Sequence, residues 1–117
     1  MLYLCFMNES FILNWKSQVK KGTLTFIILN VLRKQECYGY ELIEQIKEYT
    51  DIEIAEGTLY PLLNRLKTDE LVDSKWVAQD SGIPRKYYCL TDSGVASLEE
   101  MNTYWKKLSL SIQKIVK

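Results

Sequence analysis

The amino-acid sequence predicts an α+β fold, mainly helical, with three helices, a two-stranded hairpin and one long terminal helix. Three observations predict it. Leu59, Leu62, Leu63 and Leu66 recur at i, i+3, i+4 and i+7, the stripe of a helix buried along one face. Leu71–Val77 and Arg85–Leu90 read as strands, with Ser81-Gly82-Ile83-Pro84 turning the chain between them. Leu98, Met101, Trp105, Leu108, Ile112 and Ile115 follow at alternating spacings of 3 and 4, a coiled-coil seam of about two and a half heptads.

The first helix runs from about Ser10 or Lys16 to Lys34. Its second half, LTFIILNVL, is apolar nearly all round, with Leu24, Ile27, Ile28, Val31 and Leu32 marking one face and Phe26 and Leu29 another. A helix apolar on all sides is buried on all sides. A domain of 117 residues can hardly supply that cover alone, so Phe26 and Leu29 are expected to face a second subunit.

The second helix follows Tyr38–Tyr40 and ends near Tyr49, with Leu42, Ile43 and Ile46 at helical spacing. Gly39 in its first turn either lets a neighbouring helix approach closely or merely weakens the start. Residues Thr50–Ala55 form a turn, and the third helix spans about Glu56 to Asp69. Pro61 is tolerated there because it falls near the first turn. After the hairpin, Thr91 precedes Asp-Ser-Gly as a natural N-cap for the last helix, about Asp92–Val116.

Helix, short turn, helix and hairpin, in that order, make a winged helix-turn-helix. In this module the second helix of the pair enters the major groove of DNA and the hairpin wing reaches adjacent phosphates. The expected organisation is an N-terminal extension over residues 1–13, a winged helix-turn-helix domain over 14–91 and a C-terminal dimerisation helix over 92–117. For residues 1–6 three readings stand open: an upstream start, a disordered tail, and a packed arm.

Composition narrows the function. Hydrophobic content of 47% and charged content of 26% describe an ordinary globular chain, and no stretch reads as a membrane span. Cys5, Cys37 and Cys89 are widely spaced, and the chain has no histidine, so neither a disulfide framework nor a usual zinc site is expected. A reducing cytoplasm fits. Without histidine a serine or cysteine nucleophile lacks its usual base, and no phosphate-cradling glycine loop or dinucleotide fingerprint is present. The expectation is a protein that is not an enzyme and carries no cofactor or metal. Glu41, Glu44 and Glu48 lie along one helical strip, read as a solvated face.

Net charge is zero, yet the charges are segregated. Five basic residues and no acid lie between Ser10 and Gln35, whereas seven acids against one lysine lie between Glu36 and Glu56. A locally positive face is therefore compatible with a neutral molecule. Candidates for DNA contact are Tyr38, Tyr40, Thr58, Tyr60, Asn64, Lys67, Arg85 and Lys86. Asn pairs bidentately with adenine, Thr offers a methyl to thymine, Tyr bonds a phosphate or packs on a sugar, and the cations meet phosphates. Asp69, Glu70 and Asp80 lie nearby in sequence and oppose them.

The strings YGYELIEQI, GTLYPLLNRL and RKYYCLT, at these spacings, resemble the PadR-like transcriptional regulators over about Asn14 to Lys117. The single C-terminal helix resembles the short subfamily. The resemblance implies a homodimer built by the first and last helices, bound to a palindromic operator, with repression relieved by a small molecule or stress signal. The expected dimer contacts are Phe26, Leu29, Leu98, Met101, Trp105, Leu108, Ile112 and Ile115. In multidrug-sensing short members a tryptophan at the place of Trp105 stacks on planar aromatic small molecules. The resemblance thus makes Trp105 a ligand-pocket candidate, with Trp15 a further contributor; Tyr104, about 100° round the helix from Trp105, is expected to face elsewhere. Two departures stand out: Glu70 occupies the place where glycine usually follows the recognition helix, and SGIPRKYY replaces a more arginine-rich wing tip. A different reading of the same elements is a winged-helix protein-interaction module that never meets DNA, which the zero net charge favours.

Overall fold

The computed structural model describes residues 6–117. Its elements are α1 (Glu9–Lys34), β1 (Cys37–Tyr38), α2 (Gly39–Thr50), α3 (Glu56–Thr68), β2 (Val72–Val77), β3 (Arg85–Leu90) and α4 (Asp92–Val116). Together they form a mainly helical winged-helix fold with a long C-terminal helix. The first helix begins at Glu9, inside the stretch expected as an extension, because Asn8 caps it: its Oδ1 accepts from the Phe11 N–H at 3.0 Å. The open question over residues 1–6 falls almost wholly outside the described residues.

Residues 37–38 add a strand to the expected pair. The sheet is antiparallel in the order β1-β3-β2, with Cys37 opposite Tyr88 and Tyr38 opposite Tyr87. The wing is therefore anchored along β3 to the start of α2. Between β2 and β3 the register runs from Val72 opposite Leu90 to Val77 opposite Arg85. Gly82, at φ +86, supplies the left-handed turn at the tip.

The core collects the apolar faces foreseen from the periodicity. Ile28, Leu29, Leu42, Ile46, Leu59 and Leu63 are fully enclosed, with Leu66, Val72, Tyr88 and Leu98 closing around them. This corrects two expected dimer contacts. Leu29 and Leu98 have 0% and 2% of their surface exposed, so both are used up inside the protomer. The apolar half of α1 is mostly covered by the chain itself, and of its apolar side chains only Phe26 and Ile27 remain half-buried there. On these two helices the uncovered apolar surface lies instead on the first half of α1, at Phe11, Leu13 and Trp15, and on α4 beyond Met101.

The exit from α3 is built without its usual glycine. The Leu71 N–H donates to the Leu66 carbonyl at 2.9 Å and the Glu70 N–H to the Lys67 carbonyl at 3.0 Å, the two bonds of a Schellman turn. The turn needs a left-handed residue, and Glu70 adopts it at φ +62. The Thr91 hydroxyl then donates to the Glu70 carbonyl at 2.6 Å and accepts from the Gly94 N–H at 2.9 Å. Gly94 is required at this junction, since a Cβ there would meet the Leu71 carbonyl oxygen. No helix among the described residues is long and apolar enough to cross a membrane.

Both residues give stability predictions. A left-handed L-residue costs about 1–2 kcal/mol, part of which glycine's larger unfolded-state entropy offsets. Glu70→Gly is therefore expected to stabilise the protein by about 0.5–1 kcal/mol. Gly94→Ala is expected to lose about 2 kcal/mol by forcing α4 away from Leu71. Denaturant midpoints at one fixed protein concentration check both, and a Glu70→Gly variant weaker than the parent refutes the strain.

Candidate nucleic-acid interface

Between α3 and the wing lies a cleft of about 410 Å³. Six of the eight residues singled out for DNA contact line it: Tyr38, Tyr40, Tyr60, Asn64, Arg85 and Lys86. Local structure explains the convergence. On α3 the leucine stripe faces the core, which turns Tyr60 and Asn64 outward. Tyr38 and Tyr40 flank Gly39 at the β1–α2 junction, and Arg85 and Lys86 open β3 just past the wing tip. Thr58 is exposed in the first turn of α3, outside the cleft lining. Lys67 lies at the other end of that helix, where its Nζ donates to the Ser74 hydroxyl of β2 at 2.7 Å.

Tyr60 spans the helix-turn-helix. A Cβ at Gly39 would overlap its ring and hydroxyl, so the close approach expected of Gly39 is made by this side chain. Burial pushes the Tyr88 phenol above its ordinary range, and the neighbouring Tyr60 phenol adds to the effect. Tyr88 therefore stays neutral. Two cations rest on aromatic faces. The Arg85 guanidinium lies 4.4 Å from the centre of the Tyr38 ring, and Tyr38 in turn meets Tyr87 edge-on at 5.4 Å. Lys86 Nζ lies 5.7 Å from the Trp76 ring and 5.9 Å from that of Tyr88. Stacking of this kind fixes a cation without neutralising it.

The ion pairs of the fold lie elsewhere. Arg33 meets Glu99 at 3.9 Å, Lys47 meets Glu53 at 3.0 Å and Lys75 meets Glu36 at 3.1 Å. Among the described residues Lys67, Arg85 and Lys86 form no ion pair, so the cleft keeps its positive charge on a chain of net charge zero. Sequence reasoning passed over Trp76, Pro84 and Tyr88, which also line the cleft. For Trp76 the signal was present: Val72, Ser74 and Trp76 share one face of β2, and that face leaves the core as the strand nears the tip.

The second candidate region is a groove of about 550 Å³ between α1 and α4, walled by Phe26, Met101, Tyr104, Trp105 and Leu108. Phe26 and Trp105 hold their ring centres 5.6 Å apart at 44°. Tyr104 lines the same groove, against the expectation that it faces elsewhere, because the groove wall spans more than the 100° separating neighbouring residues. Trp15 is exposed and does not line it. The acidic strip on α2 also needs correction: Glu41 is half-buried, with one carboxylate oxygen enclosed and unpartnered beside Cys37. Burial, chiefly, pushes the Cys37 thiol up, and Glu41 adds to it while Gln35 opposes it.

Comparison with known proteins gives consistent matches. The model of the transcriptional regulator PadR-like family matches residues 28–100. The X-ray structure of a PadR-like transcription factor from Bacteroides fragilis is 43% identical, with a TM-score of 0.74 over 87% of this chain and 98% of its own. A PadR family transcriptional regulator from Eggerthella lenta is 33% identical, with a TM-score of 0.82 over 93% of this chain and 95% of its own. The negative transcriptional regulator PadR of Bacillus subtilis is 30% identical over 79 residues, which are 66% of this chain and 43% of that relative. The chain thus spans less than half the length of the Bacillus subtilis protein.

The Gly39–Tyr60 contact has a direct test. Gly39→Ala is expected to cost about 1–3 kcal/mol by overpacking, and the cost should shrink when Tyr60 is also truncated to alanine. A double-mutant cycle reads the coupling, and strictly additive losses refute the contact.

Proposed function

The chain belongs to the PadR-like family of transcriptional regulators, and on that footing we propose that it is a homodimeric, sequence-specific DNA-binding repressor released by a small planar aromatic molecule. Like the regulators it resembles, it is not an enzyme. The observation that carries DNA binding is the convergence of the outer face of α3 and the tip end of the wing in one cleft whose cations have no carboxylate partner. In this reading α3 lies in the major groove with Asn64 on base edges and Thr58 and Tyr60 beside it. Lys67, Arg85 and Lys86 meet phosphates, with Tyr38 and Tyr40 at the rim. DNA is the partner, so the cytoplasm is the place of action.

Dimerisation is supported by the uncovered strip on α4. Trp105, Leu108, Ile112 and Ile115 are 45%, 39%, 50% and 83% exposed, in line along the seam, with Met101 half-buried at its inner end. Contiguous apolar surface of this kind marks an interaction site, and Phe26 lies beside it across the groove. A twofold pair presents two α3 helices to successive turns of one DNA face, about 34–36 Å apart, which requires a palindromic operator. The α1–α4 groove takes the planar ligand against Trp105, and Trp15 reaches it from the second copy. Release follows from the ligand's difference in affinity between the DNA-binding and non-binding spacings. The printed role of the Bacillus subtilis relative, a negative regulator, supports repression.

A second reading, a protein-interaction module built on the same elements, is favoured by the zero net charge. Retardation of the chain's own promoter DNA at two salt concentrations separates the two. Specific binding that weakens steeply with salt supports the regulator, and no binding at low salt with the dimer intact overturns it. Asn64→Ala is expected to lose about 1–3 kcal/mol of base discrimination, whereas Lys86→Ala should weaken binding about equally on all sequences. Leu108→Asp should yield monomers by sedimentation. Trp105→Ala should abolish fluorescence quenching by planar aromatic dyes while the protein remains dimeric, and unchanged quenching removes Trp105 from the ligand site.

A further inference from the structure

Trp76 is 67% exposed, yet it stands on the inner face of β2. That face starts in the core at Val72, which is 2% exposed, continues through Ser74 with its bond from Lys67 of α3, and ends at Trp76. Across β3 the same face carries Leu90, Tyr88 and Lys86. The strand thus aims a large indole into the cleft beside Asn64 and Tyr60, where it covers no core. The outer face of the same strand is spent differently, with Lys75 tied to Glu36.

We infer that Trp76 is a DNA-contacting residue of the wing, which packs its indole against deoxyribose or a thymine methyl while Lys86 beside it meets the adjoining phosphate. The inference rests on the DNA-binding reading. Charge complementarity identifies the occupant: a nucleic-acid strand alternates apolar sugar with anionic phosphate, and the cleft pairs an apolar indole with an ammonium 5.7 Å from its ring. It also answers the shortage of charge. The tip Ser81-Gly82-Ile83-Pro84 contains no cation, so aromatic contact replaces much of the ionic contact that an arginine-rich wing makes. Contact of this kind releases no counterion and leaves the salt dependence of binding untouched.

The experiment selects a duplex from a random-sequence pool with the wild-type protein, then measures affinity for it against salt for Trp76→Ala, Trp76→Phe, Trp76→Lys and Lys86→Ala. Trp76→Ala is expected to bind about tenfold more weakly, in line with the loss of one aromatic contact to a nucleotide, with the logarithmic salt slope unchanged. Trp76→Phe should retain most of the affinity, and Trp76→Lys should recover part of it with a steeper slope. Lys86→Ala should make the slope shallower by about one. Circular dichroism and sedimentation establish that each variant is folded and dimeric. Weaker binding of Trp76→Ala with a shallower slope overturns the direct contact and makes Trp76 a positioning residue for Lys86. Unchanged affinity overturns the inference and leaves DNA binding standing. A wild-type protein that enriches no sequence and retards no duplex at low salt overturns both.

Discussion

Thr91 joins three parts of the molecule through one side chain and its own amide. Its hydroxyl bonds the Glu70 carbonyl at the exit of α3 and caps α4 at Gly94, while its N–H donates to the Leu71 carbonyl at 3.1 Å. The end of α3, the base of the wing and the start of α4 are thereby held within a few ångströms. Gly94 and Glu70 both serve this junction, one by lacking a Cβ and the other by accepting a left-handed backbone. The clasp adds to the β1–β3 pairing and the Lys67–Ser74 bond in setting the angle between the hairpin and α3. The cleft depends on the angle.

The two candidate regions lie on different element pairs, and α1 connects them. It packs against α2, α4 and β3, so it forms one wall of the aromatic groove and also supports the helix-turn-helix. Outside the core α1 meets α4 through the Phe26–Trp105 ring contact and through two exposed polar contacts: Asn102 donates to Asn30 at 3.1 Å, and Arg33 lies 3.9 Å from Glu99. Exposed pairs of this kind contribute about 0–1 kcal/mol. In the proposed dimer, a groove occupant that shifted α1 against α4 would alter the spacing of the two α3 helices.

Local chemistry made much of the fold legible in the sequence. The leucine stripe of α3, the turn at Gly82 and the cap at Thr91 each declare themselves within a few residues, and all three stand where the sequence puts them. What was hidden is non-local. Strand β1 has two residues and exists only through pairing with β3. Leu29 and Leu98 carry the same apolar signal whether they meet a partner or their own core, and only the packing of α1 against α4 decides. Glu41 sits on a polar helical strip, yet the β1–α2 corner folds over it. Six of eight cleft candidates converged because helix face and strand order already fix direction, whereas Trp76 required knowing where β2 leaves the core.

Zero net charge has a further consequence for how such a protein would find its site. Non-specific attraction to the chromosome scales with the number of phosphates a protein neutralises, and here fifteen basic residues are balanced by fifteen acidic ones. In the proposed role the protein would be held only briefly by random duplex, sliding short distances and returning to free solution often. Most copies would then be in the surrounding fluid, not stored along the genome, and the time to locate a target would track diffusion and copy number.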